Sequence, residues 1–196
     1  MTEVEQDNKF VLRADLRDHL DQVRSIAPYP LVEGAVITSS LDRTVKLWMY
    51  KDGNNQDGMD TTVEEGVDKN ELLKKKSEYE VSLTFIGHEN TVLDVTYWPP
   101  NEQNNNIGNI VSASHDKSII IWKLNGEMQD RYINAHTGPV STITINQTTN
   151  NIISGSWDKL AKVWSAGQCI HELKGHEGNI LCVIAASNGD IITGSG

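Results

Sequence analysis

The chain has 196 residues, with 17 basic and 27 acidic side chains and a net charge of −10. A surface this acidic repels phosphate backbones and anionic lipid headgroups, so binding to nucleic acid or to a membrane surface is disfavoured. No apolar run reaches the roughly 18 residues of a membrane span, and the acidic N-terminus is unlike a signal peptide. Cys169 and Cys182 lack metal-like or CxxC spacing, so we expect two reduced thiols of an intracellular protein, packed in its core.

In chain order, residues 1–9 are polar and predict a disordered tail, and residues 10–16 alternate between apolar and polar side chains like a β-strand. Strand-like units that end in Trp48, Trp122 and Trp164 then follow one another. A fourth unit stops at Gly196. The spacing from one unit to the next is 40 residues between His136 and His176, so the chain is built from repeats.

Each unit carries the same residue types at fixed spacing. A His opens the unit, a Ser or Thr precedes a turn Asp by four residues, and a Trp follows that Asp by six. The sets are His19, Thr38, Asp42 and Trp48; His88, Ser112, Asp116 and Trp122; His136, Ser154, Asp158 and Trp164; and, in the fourth unit, His176 and Thr193. This is the pattern of WD repeats, and it predicts an all-β fold of four-stranded propeller blades.

Within each unit, apolar and β-branched residues mark the strands. The first strand follows the His, at residues 91–97, 140–145 and 179–185. The fourth strand precedes the next His, at residues 79–86, 128–134 and 168–173. The chain therefore holds about three and a half blades, fewer than a closed propeller usually needs, and we interpret it as an N-terminal fragment of a propeller that residues 10–16 would help to close.

Two segments depart from the repeat. Residues 51–80 carry nine acidic and five basic side chains, which predicts a disordered or partly helical acidic insertion in the first blade. Residues 99–109 predict a smaller loop insertion in the second blade. The partial propeller thus spans residues 10–196, with its fourth blade cut at residue 196.

The repeated His, Ser/Thr and Asp resemble a hydrolase triad, but a hydrolase needs one such set and this chain has three. We interpret each set as a buried relay in which the His bonds to the Ser/Thr and to the Asp, and the Trp bonds to the hydroxyl. One His per blade is also too dispersed to hold a metal ion. The sequence therefore predicts neither an enzyme nor a metal or cofactor site.

The top face of such a propeller consists of the loops that enter each first strand and the turns that carry the Asp. Residues three and five after each His, the residue before each turn Asp, and Asp21 should lie there, as a mixed apolar and polar surface suited to a protein partner. They are Asp21, Gln22, Arg24, Leu41, Thr91, Leu93, His115, Pro139, Ser141, Trp157, Asn179 and Leu181. Trp157 would be either an exposed anchor or a side chain packed on the neighbouring blade.

Residues 153–164 read ISGSWDKLAKVW, with the unusual Trp157 directly before the turn Asp. This segment resembles the third blade of the ubiquitin-binding WD-repeat family of the phospholipase-A-activating protein and its yeast ubiquitin-homeostasis counterpart. Residues 16–24, LRDHLDQVR, are similar to the opening segment of the propeller in that family. Residues 168–176 are similar to the segment that follows the third blade in that family. Three residues after the first His the family has an acidic residue, whereas this chain has Gln22 beside Asp21. The contact that this acidic residue would make with ubiquitin therefore either moves to Asp21 or the affinity for ubiquitin falls.

The resemblance implies a seven-bladed propeller that binds ubiquitin on its top face. It also implies a following region, not present here, that docks the valosin-containing AAA+ ATPase. The implied role is an adaptor in ubiquitin recycling and ubiquitin-dependent degradation, in the cytoplasm and nucleus. The alternative is a WD-repeat scaffold or substrate-receptor subunit of another complex.

Overall fold

The computed structural model describes residues 16–50, 79–102 and 107–196. The described residues within 18–49 and 81–196 form one compact unit, which contains nearly all of the described chain. The predicted tail at 1–9, all but Leu16 of the predicted strand at 10–16, and residues 51–78 of the predicted insertion lie outside the described residues. Leu16 is not in a strand.

The described residues form fourteen strands in four antiparallel sheets, each ordered as its strands follow in the chain. The first sheet has β1 Val23–Pro28, β2 Val36–Ser40, β3 Thr44–Tyr50 and β4 Tyr79–Ile86; the second has β5 Val92–Trp98, β6 Asn109–Ser114, β7 Ile119–Trp122 and β8 Met128–Tyr132. The third has β9 Val140–Asn146, β10 Asn151–Ser156, β11 Ala161–Ser165 and β12 Gln168–Leu173; the fourth has β13 Ile180–Ala185 and β14 Ile191–Ser195.

This architecture confirms the all-β prediction of three four-stranded units and half of a fourth. The strand boundaries agree with the sequence prediction to within two residues. The strand predicted at 128–134 ends at Tyr132, because Asn134 adopts a left-handed conformation with φ of 53° that breaks the extended backbone. Tyr79 and Glu80 already belong to β4, and Asn109 already belongs to β6, so both predicted insertions end slightly earlier than expected.

The core lies between consecutive sheets. One apolar cluster joins the first and second sheets around Ile37 and Val95, and a second joins the second and third around Val111 and Ile143. A smaller cluster joins the third and fourth sheets around Ile153 and Val183. The first strands β1, β5, β9 and β13 contact one another in that order. The sheets therefore form a series in which each sheet packs on the next.

Every first strand contains a β-bulge at the same repeat position. In β5, Val92 pairs with Ser114 and Asp94 with Ala113, which leaves Leu93 without a partner across the ladder. The pairings of β1, β9 and β13 skip one residue in the same way. The bulged residues are Arg24, Leu93, Ser141 and Leu181, each five residues after the His. A bulge adds one residue to the strand and redirects its side chain.

The expectation of core-packed cysteines is wrong, because Cys169 and Cys182 are both exposed. Cys169 lies in β12, in which every residue is exposed, and Cys182 lies in β13 of the two-stranded fourth sheet. A small apolar side chain is buried only where a neighbouring layer covers its strand, and no described layer covers these two positions.

Candidate protein-binding face

The third sheet shows how the repeated polar residues connect. His136 Nδ1 lies 2.9 Å from Asp158 Oδ2, and His136 Nε2 lies 2.8 Å from Ser154 Oγ. Trp164 Nε1 donates to the same Ser154 Oγ at 2.8 Å. Ser154 and Trp164 come from adjacent strands of the sheet, and His136 comes from the loop before it. The network therefore fastens that loop to the middle of the sheet.

The other units repeat this network. In the second sheet, His88 lies 2.9 Å from Asp116 and 2.8 Å from Ser112, which also accepts from Trp122 at 2.8 Å. The first sheet joins its four residues with distances of 2.7, 2.6 and 2.8 Å; they are His19, Asp42, Thr38 and Trp48. In the fourth unit, His176 Nε2 lies 2.7 Å from Thr193 Oγ1.

The direction of the third network follows from its two ends, because an indole N–H can only donate and an ionised carboxylate can only accept. Ser154 Oγ accepts from Trp164, and His136 Nδ1 donates to Asp158. In a neutral ring His136 Nε2 then carries no proton and accepts from the Ser154 hydroxyl. Burial lowers the pKa of His136, against the opposing effect of Asp158, which agrees with a neutral ring. Every polar atom at the centre of the network has a partner.

The carboxylates that end these networks are held in their ionised form. Burial raises the pKa of Asp42, but hydrogen bonds from Thr44, His19 and two backbone N–H groups outweigh it and lower the pKa to about 2. The same balance lowers the pKa of Asp116 and of Asp158. Each Asp thus remains a charged acceptor at neutral pH.

The arrangement of Asp, His and Ser or Thr contains the residue types of a hydrolase triad, but its hydroxyl is buried away from any substrate in solvent. Ser112 and Ser154 are 0% exposed and Thr38 is 3% exposed. Each hydroxyl oxygen also accepts the Trp N–H, which holds the hydroxyl in the interior of its sheet. These three networks are structural. Among the described residues, no three His, Cys, Asp or Glu side chains are grouped closely enough to hold a metal ion.

Backbone hydrogen bonds place the predicted top-face residues beside one another in pairs. The N–H of Leu41 donates to Gln22 O at 2.9 Å, that of His115 to Thr91 O at 2.9 Å, and that of Trp157 to Pro139 O at 3.0 Å. The fourth unit continues the series, with Gly196 donating to Asn179 O at 3.2 Å. The loop that enters each sheet is thus joined to the turn that carries its Asp.

Trp157 and His115 connect the turns of neighbouring sheets. Their rings meet edge to face, with centroids 5.4 Å apart and an interplanar angle of 84°. Trp157 is still 39% exposed. Trp157 therefore combines features of both alternatives, because its ring packs on the neighbouring sheet and part of the ring is still exposed to solvent.

The remaining top-face residues differ in exposure. Asp21, Gln22, Arg24, Asn179 and Leu181 are exposed, whereas Leu41, Thr91, Leu93, Pro139 and Ser141 are half-buried. Ser141 Oγ donates to the carbonyl of Ile180 in the next sheet, so this side chain serves packing between sheets. It is the predicted top-face residue least suited to contact a partner.

Leu20 was missed by the sequence argument, although its side chain is 93% exposed. Its N–H donates to Asp42 Oδ2 at 3.0 Å, so the first network fixes the backbone of an exposed leucine beside Asp21. The residues directly after the other three His are Glu89, Thr137 and Glu177. An apolar residue directly after the first His, where the other units have polar residues, was the sequence feature that could have pointed to Leu20.

Asp94 was also missed, and it joins three sheets. Its carboxylate accepts from the N–H of Val95 at 2.9 Å and from that of Ile143 in the third sheet at 2.8 Å. It is also hydrogen-bonded to Ser25 of the first sheet and Thr142 of the third. Ser25, Thr142 and Cys182 occupy the equivalent position in the other units, so the only signal was a charged residue where the repeat has small side chains.

Repeated four-stranded sheets, each fastened by a His–Ser/Thr–Trp–Asp network, define a WD-repeat propeller protein. The family model "WD domain, G-beta repeat" matches residues 10–49, 79–123, 128–165 and 167–196. The chain belongs to this WD40 family. No helix among the described residues has the length and apolarity to cross a membrane.

Two curated relatives and one solved structure give the context. The chain is 28% identical over 178 residues to phospholipase A-2-activating protein of Xenopus laevis, covering 90% of this chain and 19% of that protein. It is 31% identical over 87 residues to small ribosomal subunit protein RACK1 of Drosophila melanogaster, covering 41% of this chain and 26% of that protein. The chain thus spans about a fifth to a quarter of the length of these relatives.

The solved structure described as the WD40 beta propeller domain of Doa1 superposes with a TM-score of 0.67 at 23% identity. The match covers 93% of this chain and 51% of that one. The similarity supports the propeller fold.

Proposed function

We propose that the top face of this chain binds ubiquitin and that the protein is a non-catalytic adaptor of ubiquitin recycling and ubiquitin-dependent degradation. The observation that carries the proposal is the half-exposed Trp157, fixed by His115 on a face built from repeated, hydrogen-bonded loops. Exposed, rigidly held aromatic side chains are typical anchors of protein interfaces. The resemblance of residues 153–164 and the match to the frog protein over 90% of the chain support ubiquitin as the partner.

Charge supports the same partner. Asp21, Glu89 and Glu177 are exposed on the loops that form this face. Ubiquitin presents a small apolar patch rimmed by basic residues, and acidic side chains around Trp157 and Leu20 would complement it. The family resemblance further proposes a role in the cytoplasm and nucleus together with the valosin-containing AAA+ ATPase, which would be recruited through sequence beyond this chain.

The test is a titration of isotope-labelled ubiquitin with the full chain, followed by amide chemical shifts. We expect localised shifts on the apolar patch of ubiquitin, and Trp157→Ala should weaken binding by about tenfold or more. Ile107→Ala is the matched control, because Ile107 is 63% exposed but lies in the loop at the opposite ends of the strands. Shifts unchanged in Trp157→Ala would move the site toward Asp21.

The second candidate is a WD-repeat scaffold for another protein complex. It is favoured by the match to the RACK1 protein, which shares the repeat over 41% of this chain. The absence of shifts at millimolar ubiquitin would select this candidate. The top face would then serve a different protein partner.

A further inference from the structure

The loops at the ends of the strands opposite the top face differ between the sheets. We call this side of the molecule the bottom face; it consists of the loops that join first to second strands and third to fourth strands. There the first sheet exposes Leu31 and Val32, and the second sheet exposes Ile107. The corresponding loops of the third and fourth sheets carry only polar residues and glycine at 147–150 and 187–190.

Two tyrosines join the apolar loops of the first two sheets. Tyr29, at the start of the first loop, meets Tyr97 of β5 edge to face, with ring centroids 5.6 Å apart. Tyr97 Oη in turn lies against Gly108, where an added Cβ would be only 2.5 Å away. The loop that carries Leu31 therefore adjoins the loop that carries Ile107.

A cavity of about 430 Å³ opens beside Ile107 on the bottom face. Ile107 and Leu124 line it with apolar side chains, and Asn109 and Gln129 line it with amide side chains. All four residues belong to the second sheet and its loops, which has a packed neighbour on each side. This volume, with apolar walls and a few polar groups, is typical of a binding cavity.

The amide of Asn109 has a fixed orientation and an acceptor without a partner. Its Nδ2 donates to Trp122 O and to Gln129 Oε1, each at 2.9 Å. Both partners are acceptors, so a flipped amide would lose both bonds. Asn109 Oδ1 is therefore fixed as an acceptor, and it is buried without a hydrogen-bond partner. Such an atom lowers the stability of the fold until a donor is supplied.

Asn109 and Gln129 together match one peptide group. Asn109 Oδ1 requires an N–H donor. Gln129 Oε1 already accepts from Asn109, so the exposed Gln129 amide offers its Nε2 as a donor. A peptide group supplies one N–H and one C=O. The side chain next to that group would enter between Ile107 and Leu124.

Charges around the cavity favour a basic peptide. Glu33, Glu102, Lys123 and Glu127 are exposed on the loops that join β1 to β2, β5 to β6 and β7 to β8. Lys123 Nζ lies 2.9 Å from Glu127 Oε2, so these two charges offset each other. Glu33 and Glu102 leave the surroundings acidic, which complements Lys or Arg side chains of a partner.

We propose that this cavity binds an extended segment of a partner protein in which a large apolar residue is flanked by Lys or Arg. The apolar side chain packs between Ile107 and Leu124, and the segment donates a backbone N–H to Asn109 Oδ1. No residue of the top face takes part, so the proposal is independent of ubiquitin binding.

The experiment selects short random peptides displayed on phage against the full chain, and measures the affinity of the enriched peptides by fluorescence anisotropy. We expect enriched peptides to share an apolar residue beside Lys or Arg. Ile107→Ser and Gln129→Ala should each weaken binding by about tenfold or more. Both side chains are exposed, so both variants should fold, which circular dichroism would verify. Ile133→Ser, at an isoleucine that is 70% exposed beyond the other end of β8, should bind like the wild type.

The role of Asn109 is tested without a substitution. The ¹³Cγ signal of its side chain should move when a selected peptide binds, because the amide oxygen gains a donor. The proposal is overturned if no peptide is enriched, if Ile107→Ser and Gln129→Ala bind as tightly as the wild type, or if the Asn109 signal stays unchanged in the saturated complex. Loss of binding in Trp157→Ala would assign the peptides to the top face and would overturn it as well.

Discussion

His115 and Trp157 touch edge to face across two sheets, at a centroid distance of 5.4 Å. Both residues occupy the position directly before the turn Asp, and each N–H is bonded to the loop of its own sheet. The aromatic contact therefore links two turns that are already held in place. It gives the candidate binding face a fixed aromatic surface.

The contact between His115 and Trp157 should be measurable as a coupling free energy. We expect a double-mutant cycle with His115→Ala and Trp157→Ala to give a coupling of about 0.5–1.5 kcal/mol, the range for edge-to-face aromatic pairs. Urea unfolding of the four proteins measures it. Additive effects of the two substitutions would mean that the contact does not stabilise the fold.

Ser154 should be essential to the third network. Ser154→Ala removes the partner of both His136 Nε2 and Trp164 Nε1, and two buried polar atoms without partners should lower the free energy of unfolding by about 2–4 kcal/mol. Ser154→Thr is the matched control, because Thr38 has the same role in the first sheet. Equal losses in the two variants would implicate packing instead of hydrogen bonding.

Acid should destabilise the fold through the turn carboxylates. A carboxyl with a lowered folded-state pKa stabilises above its unfolded value of about 3.9, and this stability is lost as pH falls through the folded-state pKa. For Asp42 that folded-state pKa is about 2. Urea midpoints should therefore fall steeply between these pH values. The fall should be shallower in Asp42→Asn, whereas Asp130→Asn, in the exposed part of β8, should retain the wild-type slope.

Asp94 should have the opposite pH dependence. Burial raises its pKa, and hydrogen bonds from Ser25 and from neighbouring backbone groups only partly oppose this. Its contribution is fully present below the unfolded-state pKa and is lost as pH rises through the raised folded-state pKa. Asp94→Asn should remove this pH dependence.

The same variant tests the hydrogen bonds of Asp94. An amide cannot accept from both the Val95 and the Ile143 N–H groups, so at neutral pH Asp94→Asn should lower the free energy of unfolding by about 1–3 kcal/mol. Ser25→Ala, which removes one donor only, should cost about 0.5–1.5 kcal/mol. Urea unfolding at several pH values checks both expectations. Wild-type stability of Asp94→Asn would contradict the role of Asp94 in joining the sheets.

The sequence was sufficient for features that lie within one repeat. The His–Ser/Thr–Trp–Asp spacing indicated which side chains meet, because register within a short antiparallel sheet follows from its tight turns. Features that join different repeats were not predictable in this way. The reach of Asp94 into the third sheet and the exposure of Cys182 depend on which sheet lies beside which, and no local spacing encodes that arrangement.

The bulges at Arg24, Leu93, Ser141 and Leu181 have a consequence for the periodicity of the first strands. Val92 and Val95 are both buried, at 0% and 3% exposure, although they are three residues apart in one strand. Simple alternation would place them on opposite sides. The unpaired residue between them shifts the phase of the strand by one. Removing that residue would invert the orientation of every side chain on one side of it, so a deletion there should be far more damaging than any substitution.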